Sequence, residues 1–415
     1  MKIRGLANLN RWRRMIEHFY LSEAAKLILG GVIMAGALTL ALPEYQILTS
    51  LICILLLGSL VGVIVRPKIR VTGQLPDKII AGKEVMVRYQ LTNESHFPAY
   101  EVSLGFTELP RAMQMSGPDR CLFSLKAGQT KPFDIHFTVL RRGMYEIQEP
   151  CAYSTFPFNL YRNRLRGQRR RTKPVLVLPD YHPLQRLEVA VDPRYQPGGI
   201  VLASKVGESP EYIGNRPFQA GDSPRKIDTR AWARLAIPVV KEYHEEYYCH
   251  VAVVLDTHIT KRRIPKRSGY PNFEAAVSLT ASIADWLSRD ERIIDFFAAG
   301  PDLYVFRSGR HTAHFENLLD ILASVGHCHS NPFEVITPAL EEELTQTSSV
   351  VFVLLDWDEH REKLLRLAVN AGCHVRVFIV RDRPVSKSFA EAQGWAGQFQ
   401  VFASETIRQG RVERL

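Results

Sequence analysis

The chain lacks the common sequence patterns for binding nucleotides and zinc. No Walker A loop and no G-x-G-x-x-G run occurs in its 415 residues, so it is not expected to hydrolyse nucleotide itself. Its six cysteines form no C-x-x-C pair, which argues against a zinc ribbon or a disulfide framework and fits a reducing compartment. The run His244–Tyr248 begins like a zincin helix, but a tyrosine stands where the second histidine is required. The run His327–His329 has no protease-type cysteine signature around it and is interpreted as structural.

Two long apolar stretches, Leu27–Leu42 and Ile47–Val65, stand almost back to back near the start of the chain. Neither contains a charged residue, and each has close to the length of about 20 residues that a helix needs to cross a membrane. Basic residues flank both outer sides, which predicts a transmembrane helical hairpin over residues 1–66 with both chain ends in the cytoplasm. A cleaved signal peptide ending near Ala35–Ala37 is the competing interpretation.

The charge balance is basic, with a formal net charge of +10. The basic residues cluster at the N-terminus, just after the second apolar stretch, and in the run Arg162–Lys173. Attraction to the anionic lipid of a bilayer is the simplest account of this distribution. Nucleic acid is not an expected partner, because the run Arg162–Lys173 has no interleaved aromatic residues on which bases would stack.

Residues 67–166 alternate apolar and polar side chains with a period of two. The runs Val85–Leu91 and Phe133–Val139 are the clearest cases, and turn-forming residues separate them from their neighbours. Short strands at this spacing predict a β-sandwich of immunoglobulin-like type.

Residues 249–415 instead alternate short apolar runs with helical periodicity. Val251–Leu255 ends at Asp256, and Val350–Leu355 ends at Asp356, with amphipathic helical patterns between and after them. This order predicts a doubly wound α/β domain with a parallel sheet. Ligands of such sheets bind outside the carboxyl ends of the strands, where Asp256 and Asp356 would project.

Residues 167–248 form a basic linker followed by the charged segment Gly207–Glu246. One interpretation is an internal network of ion pairs that docks the segment onto the α/β sheet, and the other is a recognition loop for an acidic partner surface. The residues assigned to these roles are Arg216, Gly221, Asp222, Arg225, Asp228, Arg234 and Glu242.

The same segment resembles the signature of the bacterial family known as domain of unknown function 58. That signature has a G-E-x-x-E-[FY] opening, an R-x-[YF]-x-x-G-D-x-x-R-x-I-[DH]-W run, an A-R pair and a [VI]-[KR]-E-[YFH] strand. The matching residues are Gly207, Glu208, Glu211, Tyr212, Arg216, Phe218, Gly221, Asp222, Arg225, Ile227, Asp228, Ala233, Arg234, Lys241 and Glu242. The tryptophan of the pattern is replaced by Thr229.

The resemblance implies a membrane hairpin, a β-sandwich and a von Willebrand factor A-like α/β domain, in the bacterial inner membrane. Relatives are commonly encoded beside MoxR-type AAA+ ATPases, which implies such an ATPase as partner. The first hypothesis for function is therefore a membrane-anchored, non-catalytic adaptor that works with this ATPase in protein assembly, activation or envelope maintenance.

Von Willebrand factor A-like domains hold Mg²⁺ through a D-x-S/T-x-S/T motif, a loop threonine and a second aspartate. Asp256 and Thr260 fit the first motif, but His258 stands where a hydroxyl is expected. Asp356 is the candidate second acid, and Thr312 is a weak candidate for the threonine. The alternatives are a degenerate Mg²⁺ site, which would allow a metal-dependent hydrolase built on Asp256, His258 and Asp356, and a metal-free Asp256 that caps backbone amides.

Overall fold

The computed structural model describes residues 20–21, 28, 30–34, 45–117, 120–166, 171–189, 212–219, 222, 224–243, 250–259, 266–290, 293–299, 303–307, 313–345 and 347–415. The chain divides into two compact units. The first comprises Met1–Asp180 with the short segments Pro265–Gly269 and Leu322–Ser324, and the second comprises the remainder.

Among its described residues, the first unit contains one long helix and strands arranged in three sheets. The helix is α1 (Tyr45–Ile64). The strands are β1 (Tyr20–Leu21), β2 (Ile69–Thr72), β3 (Lys78–Ile80), β4 (Glu84–Asn93), β5 (Ala99–Gly105), β6 (Met113–Met115), β7 (Leu122–Leu125), β8 (Thr130–Val139), β9 (Gly143–Gln148), β10 (Cys151–Ser154), β11 (Tyr161–Arg164) and β12 (Thr172–Leu178). The sheet orders are β1-β11-β10-β5-β7, β2-β4-β8-β6 and β3-β12-β9.

The core of this unit follows from the alternation along β4 and β8. These strands pair antiparallel, with Tyr89 opposite Phe133 and Val87 opposite Ile135. All four side chains are buried, whereas Met86 on the other face of β4 is 56% exposed. Cross-strand apolar pairs on one face therefore fix the register of the sheet.

Helix α1 packs closely against β11 and the residue before it. The Tyr161 hydroxyl donates to the Leu55 carbonyl at 3.1 Å. A Cβ at Gly58 would lie 3.2 Å from Leu160 Cδ1, and one at Gly62 would lie 2.2 Å from Asn163 Nδ2. The two glycines thus let α1 approach β11 closely. The polar side chains of Tyr161 and Asn163 lie against this face of the helix.

The predicted transmembrane hairpin is wrong for the part of the chain that the structure describes, where no helix is long and apolar enough to cross a membrane. Of the first apolar stretch only residue 28 and residues 30–34 are described, and they are helical. The second stretch forms α1, and the prediction took account of its composition but not of the strand against which it packs. The predicted multi-pass location in the inner membrane depended on this hairpin and is contradicted with it.

The second unit contains a six-stranded sheet with helices between its strands. The described strands of this unit, of which the last six form the sheet, are β13 (Tyr212–Pro217), β14 (Val239–Tyr243), β15 (His250–Leu255), β16 (Ile293–Ala299), β17 (Leu303–Arg307), β18 (Ser349–Leu354), β19 (His374–Val380) and β20 (Phe399–Phe402). The helices are α2 (Thr229–Leu235), α3 (Pro271–Arg289), α4 (Ala313–Ser324), α5 (Phe333–Leu344), α6 (Glu359–Asn370), α7 (Ala390–Ala396) and α8 (Ser404–Arg408).

The sheet order is β17-β16-β15-β18-β19-β20, and all pairs are parallel except β16 with the edge strand β17. Every residue of β18 is buried, as expected for a central strand covered on both faces. Because β15 and β18 are parallel neighbours, their carboxyl ends, followed by Asp256 and Leu355, lie at the same edge of the sheet. Strands β13 and β14 form a separate antiparallel ribbon joined through a 3₁₀ turn at Pro224–Lys226 and α2.

Replacement of Leu354 in β18 by alanine is expected to lower the free energy of unfolding by about 2–5 kcal/mol, because the side chain is 1% exposed within the core. The measurement is urea unfolding followed by tryptophan fluorescence. Leu303→Ala is the matched control, since this leucine lies on the edge strand and is 41% exposed, and its loss is expected to stay below about 1 kcal/mol. Equal losses in the two variants would contradict the assignment of β18 to the centre of the sheet.

Candidate functional site at the strand ends

Asp256, directly after β15, is completely buried and uses both of its carboxylate oxygens. Oδ1 accepts a hydrogen bond from the His258 amide at 2.8 Å. Oδ2 accepts from the Leu355 amide at 2.8 Å and from Arg361 Nε at 2.7 Å. The carboxylate therefore caps its own loop, joins the ends of β15 and β18, and forms an ion pair with α6.

Arg361 is the cation of this site and is 1% exposed. Its guanidinium also contacts the Asp358 carboxylate, donates to the His258 carbonyl at 3.3 Å, and lies 5.1 Å from the centre of the Phe333 ring. Burial opposes the charge, but the carboxylates of Asp256 and Asp358 outweigh burial and raise the pKa of Arg361. The group is thus a permanent buried cation held between two carboxylates.

Asp358 positions this arginine through the start of α6. It is the N-cap residue, and its side chain accepts from the Arg361 amide at 3.1 Å. A negatively charged N-cap side chain accepts a hydrogen bond from a backbone amide that has no partner within the helix. Its charge also interacts favourably with the positive end of the helix dipole. The backbone and the side chain of Arg361 are therefore fixed by the same carboxylate.

Asp356 forms a second, separate cluster at the end of β18. Its Oδ1 accepts from the amides of Trp357 at 2.8 Å and Ser386 at 2.9 Å, and its Oδ2 accepts from the Ser386 hydroxyl at 2.6 Å. Arg381 forms an ion pair with it. Burial raises the pKa of Asp356, but the hydrogen bonds from Ser386 and the charge of Arg381 outweigh burial and lower it below the ordinary value.

These contacts bear directly on the predicted metal ligands. Thr260 and Thr312 lie outside the described residues. The ring of His258 packs against Phe333 with centroids 6.3 Å apart, and burial together with the charge of Arg361 lowers its pKa. The described part of the chain has no cluster of three or more histidine, cysteine or acidic residues able to hold a metal. At Asp256 a guanidinium stands where a divalent cation would supply the positive charge.

Cys328 lies beside this site, where burial outweighs the neighbouring groups that favour its thiolate form. Its amide donates to the Thr257 carbonyl at 3.0 Å, and its sulfur lies 3.3 Å from Thr257 Oγ1. Burial raises the pKa of the thiol. A thiol that is kept protonated is a poor nucleophile, so the arrangement fits a structural role for this cysteine.

Arg361 was missed by the sequence analysis, although the sequence carries a signal for it. In α6 the buried residues are Arg361, Leu364, Leu365 and Ala368, which follow the spacing of one helical face. An arginine on the apolar face of an amphipathic helix requires a buried anion. Asp256 and Asp358 are the anions that it finds.

The signature segment contains one of the predicted ion pairs. Arg216 Nη1 and Nη2 bind the two oxygens of Asp222 at 2.8 and 2.7 Å, and the Gln219 amide donates to the same carboxylate. Asp228 instead caps α2, accepting from the amides of Arg230 and Ala231 at 3.1 and 3.0 Å.

The remaining predicted residues of the segment are at the surface or outside the description. Arg225 and Arg234 are exposed, whereas Gly221 and the side chain of Glu242 are not among the described parts. The structure thus brings Arg216 and Asp222 together and leaves Arg225 and Arg234 facing solvent.

No family model and no curated protein matches this chain. Among solved structures, the native conformation of Escherichia coli alpha-2-macroglobulin is 14% identical with a TM-score of 0.21, over 27% of this chain and 7% of that one. A crystal structure of the same protein from domain MG7 to the C-terminus is 13% identical with a TM-score of 0.22, over 28% and 17%. The Vibrio harveyi GH20 exo-β-N-acetylglucosaminidase has 8% identity and a TM-score of 0.16, over 76% and 57%. These scores are too low to carry an argument about fold or function.

Arg361→Met is expected to lower the free energy of unfolding by about 3–5 kcal/mol, because it leaves the buried Asp256 carboxylate without its cation. Arg383→Met is the matched control at an exposed arginine, and its effect is expected to be within about 0.5 kcal/mol. Chemical unfolding followed by tryptophan fluorescence measures both. A loss below about 1 kcal/mol in Arg361→Met would show that the pair does not hold the strand ends together.

Acid should destabilise the protein partly through Asp356. Because its pKa in the folded protein is below the ordinary 3.8, the unfolded state binds more protons. The stabilisation is therefore complete above pH 3.8 and is lost as the pH falls through the folded pKa. Asp356→Asn is expected to lower stability at pH 7 by roughly 1.5–3 kcal/mol and to flatten the acid dependence. Unfolding curves between pH 2 and 7 test this, and the exposed Glu341→Gln is the control; an unchanged acid slope in Asp356→Asn would contradict it.

Proposed function

We propose that this protein is a non-catalytic adaptor that works with a MoxR-type AAA+ ATPase in protein assembly, activation or maintenance of the cell envelope. The observation that carries the proposal is the buried pair of Asp256 and Arg361. It makes the carboxyl edge of the sheet a closed, internally neutralised structure, which suits a scaffold for binding surfaces.

The same geometry favours the adaptor over a metal-dependent hydrolase. Such a hydrolase would need Asp256, His258 and Asp356 to converge on an ion with an open coordination position. Asp256 accepts three hydrogen bonds from protein donors, and Asp356 is bound by Ser386, Arg381 and the Trp357 amide. A divalent cation at Asp256 would also have to displace or face the Arg361 guanidinium, which repels it.

The identity of the partner is supported by the resemblance of residues 207–246 to the signature of domain of unknown function 58. Arg225 and Arg234, both within this segment, are exposed and available to a partner. Planar guanidinium groups make bidentate contacts with carboxylates, so these residues suit contact with an acidic surface.

The experiment is retention of a purified MoxR-type ATPase from the same genome on the immobilised full-length protein, with ADP, ATP or a slowly hydrolysed ATP analogue and magnesium. Retention with the ATP analogue is expected to exceed that without nucleotide by about tenfold or more, equivalent to 1.4 kcal/mol. An ATPase unable to bind nucleotide is the control. Absence of retention in every nucleotide state would overturn the proposal, as would a metal-dependent hydrolytic activity lost in Asp256→Asn.

A further inference from the structure

A cavity of about 670 Å³ lies at the amino edge of the six-stranded sheet, the edge opposite to that of Asp256. It is lined by the starts of β18 and β19, the last turns of α6 and α7, and the segment 186–189. This volume is within the range of about 300–1,000 Å³ that is usual for the sites of small ligands. The cavity is therefore large enough to hold one.

The cavity reaches both faces of the sheet. Ser349 and Val350 are successive residues of β18, Val375 and Arg376 are successive residues of β19, and all four line the cavity. Successive side chains of a strand point to opposite faces. The cavity thus extends around the amino ends of these two strands, and its lining differs from one face to the other.

One face contributes an apolar lining. Val350 belongs to the buried core between the sheet and the helices α5–α7, and Val369, Val375 and Trp395 are half-buried at the border of that core. The Trp395 ring is held from α6, because the guanidinium of Arg366 lies 4.7 Å from its centre. We name Val350, Val369, Val375 and Trp395 the apolar part of the cavity.

The other face contributes Arg376, whose charge is only partly compensated. Its side chain is 13% exposed, and its Nε and Nη1 donate to neutral acceptors, the Glu188 carbonyl and the side-chain oxygen of Gln398. The Glu188 carboxylate lies 3.8 Å from Nη2, beyond hydrogen-bond distance, and it also pairs with Arg186 at 3.1 Å. One carboxylate shared by two guanidinium groups leaves an excess of positive charge.

Arg361 shows the contrast within the same unit. Asp256 lies 2.7 Å from its Nε, and Asp358 contacts its Nη1, so that two carboxylates bind the guanidinium directly. At Arg376 the same two nitrogen atoms bind neutral oxygens. A guanidinium of low exposure favours a carboxylate at close range, because its removal from water costs free energy unless an anion is near.

The wall formed by the segment 186–189 is fixed by the fold. The Leu415 amide donates to the Arg186 carbonyl at 3.0 Å, and the Glu188 amide donates to the Leu415 carbonyl at 2.7 Å. From the sheet, Arg376 Nε donates to the Glu188 carbonyl at 2.9 Å. Leu187 between these contacts is 3% exposed. The cavity is therefore preformed.

We propose that this cavity binds an aliphatic carboxylate of medium chain length, with the carboxylate on Arg376 and the chain along the apolar part. Guanidinium groups make charge-assisted hydrogen bonds to carboxylates, and Arg376 Nη2 is the donor for this bond. Burial of a hydrocarbon chain against the apolar part removes apolar surface from water. A flexible chain can follow the cavity around the end of β19 and so join the two parts.

Neither part alone accounts for the whole lining. A short anion would leave the surface around Val375 and Trp395 uncovered, and an uncharged hydrocarbon would leave Arg376 without a close anion. An ammonium group in place of the carboxylate would be repelled by Arg376. This site goes beyond the adaptor proposal and does not depend on it.

The test is isothermal titration calorimetry of the full-length protein with octanoate, octylammonium and butyrate. Octanoate should bind at least about tenfold more tightly than octylammonium, because only its head group is attracted by Arg376. It should also bind at least about tenfold more tightly than butyrate, whose chain is too short to cover the apolar part.

Variants separate the two parts of the cavity. Arg376→Met should abolish the preference for octanoate over octylammonium, and Trp395→Ser should reduce the preference for octanoate over butyrate about fivefold. Glu188→Gln removes the competing carboxylate and should tighten octanoate binding about threefold or more. The Glu188 side chain is 59% exposed, so this variant is expected to fold even if Arg376→Met does not.

Trp232→Ser and Arg383→Met are the matched controls, because these are exposed, described residues that do not line the cavity. Both should leave the three affinities unchanged, and thermal melting checks that each variant folds. Absence of octanoate binding by the wild type would overturn the site. Equal binding of octanoate and octylammonium, or octanoate binding that is not tightened by Glu188→Gln, would overturn it as well.

Discussion

The ion pair between Asp256 and Arg361 determines how the carboxyl edge of the α/β sheet is built. Each of these buried charges would cost several kcal/mol if it were unpaired, so the two must be placed together. Asp256 also binds the Leu355 amide, and Arg361 also binds Asp358 at the start of α6. One interaction therefore fixes the relative positions of β15, β18 and α6, and the loops after these strands follow from it.

The same device recurs along this edge of the sheet. Asp356 accepts hydrogen bonds from the amide and hydroxyl of Ser386. Asp382, which follows β19, accepts from the amide and hydroxyl of Ser404 at 2.7 and 2.9 Å. Each of these three aspartates accepts hydrogen bonds from groups that follow the neighbouring strand of the sheet. An edge whose carboxylates are bound in this way suits a scaffold better than a reaction centre.

The central strands of the second unit were predictable because they are continuous apolar runs. Val251–Leu255 was predicted and His250–Leu255 is observed; Val350–Leu355 was predicted and Ser349–Leu354 is observed. The apolar run in α1 led to a wrong prediction, since composition does not reveal that Leu160, Tyr161 and Asn163 lie against the helix. The pairing of Asp256 with Arg361 was also hidden, because no local spacing connects residues so far apart in the sequence.

The arginines of the second unit divide into two groups by their surroundings. Arg361 is enclosed between carboxylates, and Arg216 forms a bidentate pair with Asp222. The charges of these two arginines therefore stabilise the fold. Arg225 and Arg234 are exposed, and desolvation by a partner would strengthen their attraction to its carboxylates. Under the proposed function, stability and recognition therefore depend on different arginines. A change at Arg225 or Arg234 would then alter binding while the strand-end pair keeps the sheet intact.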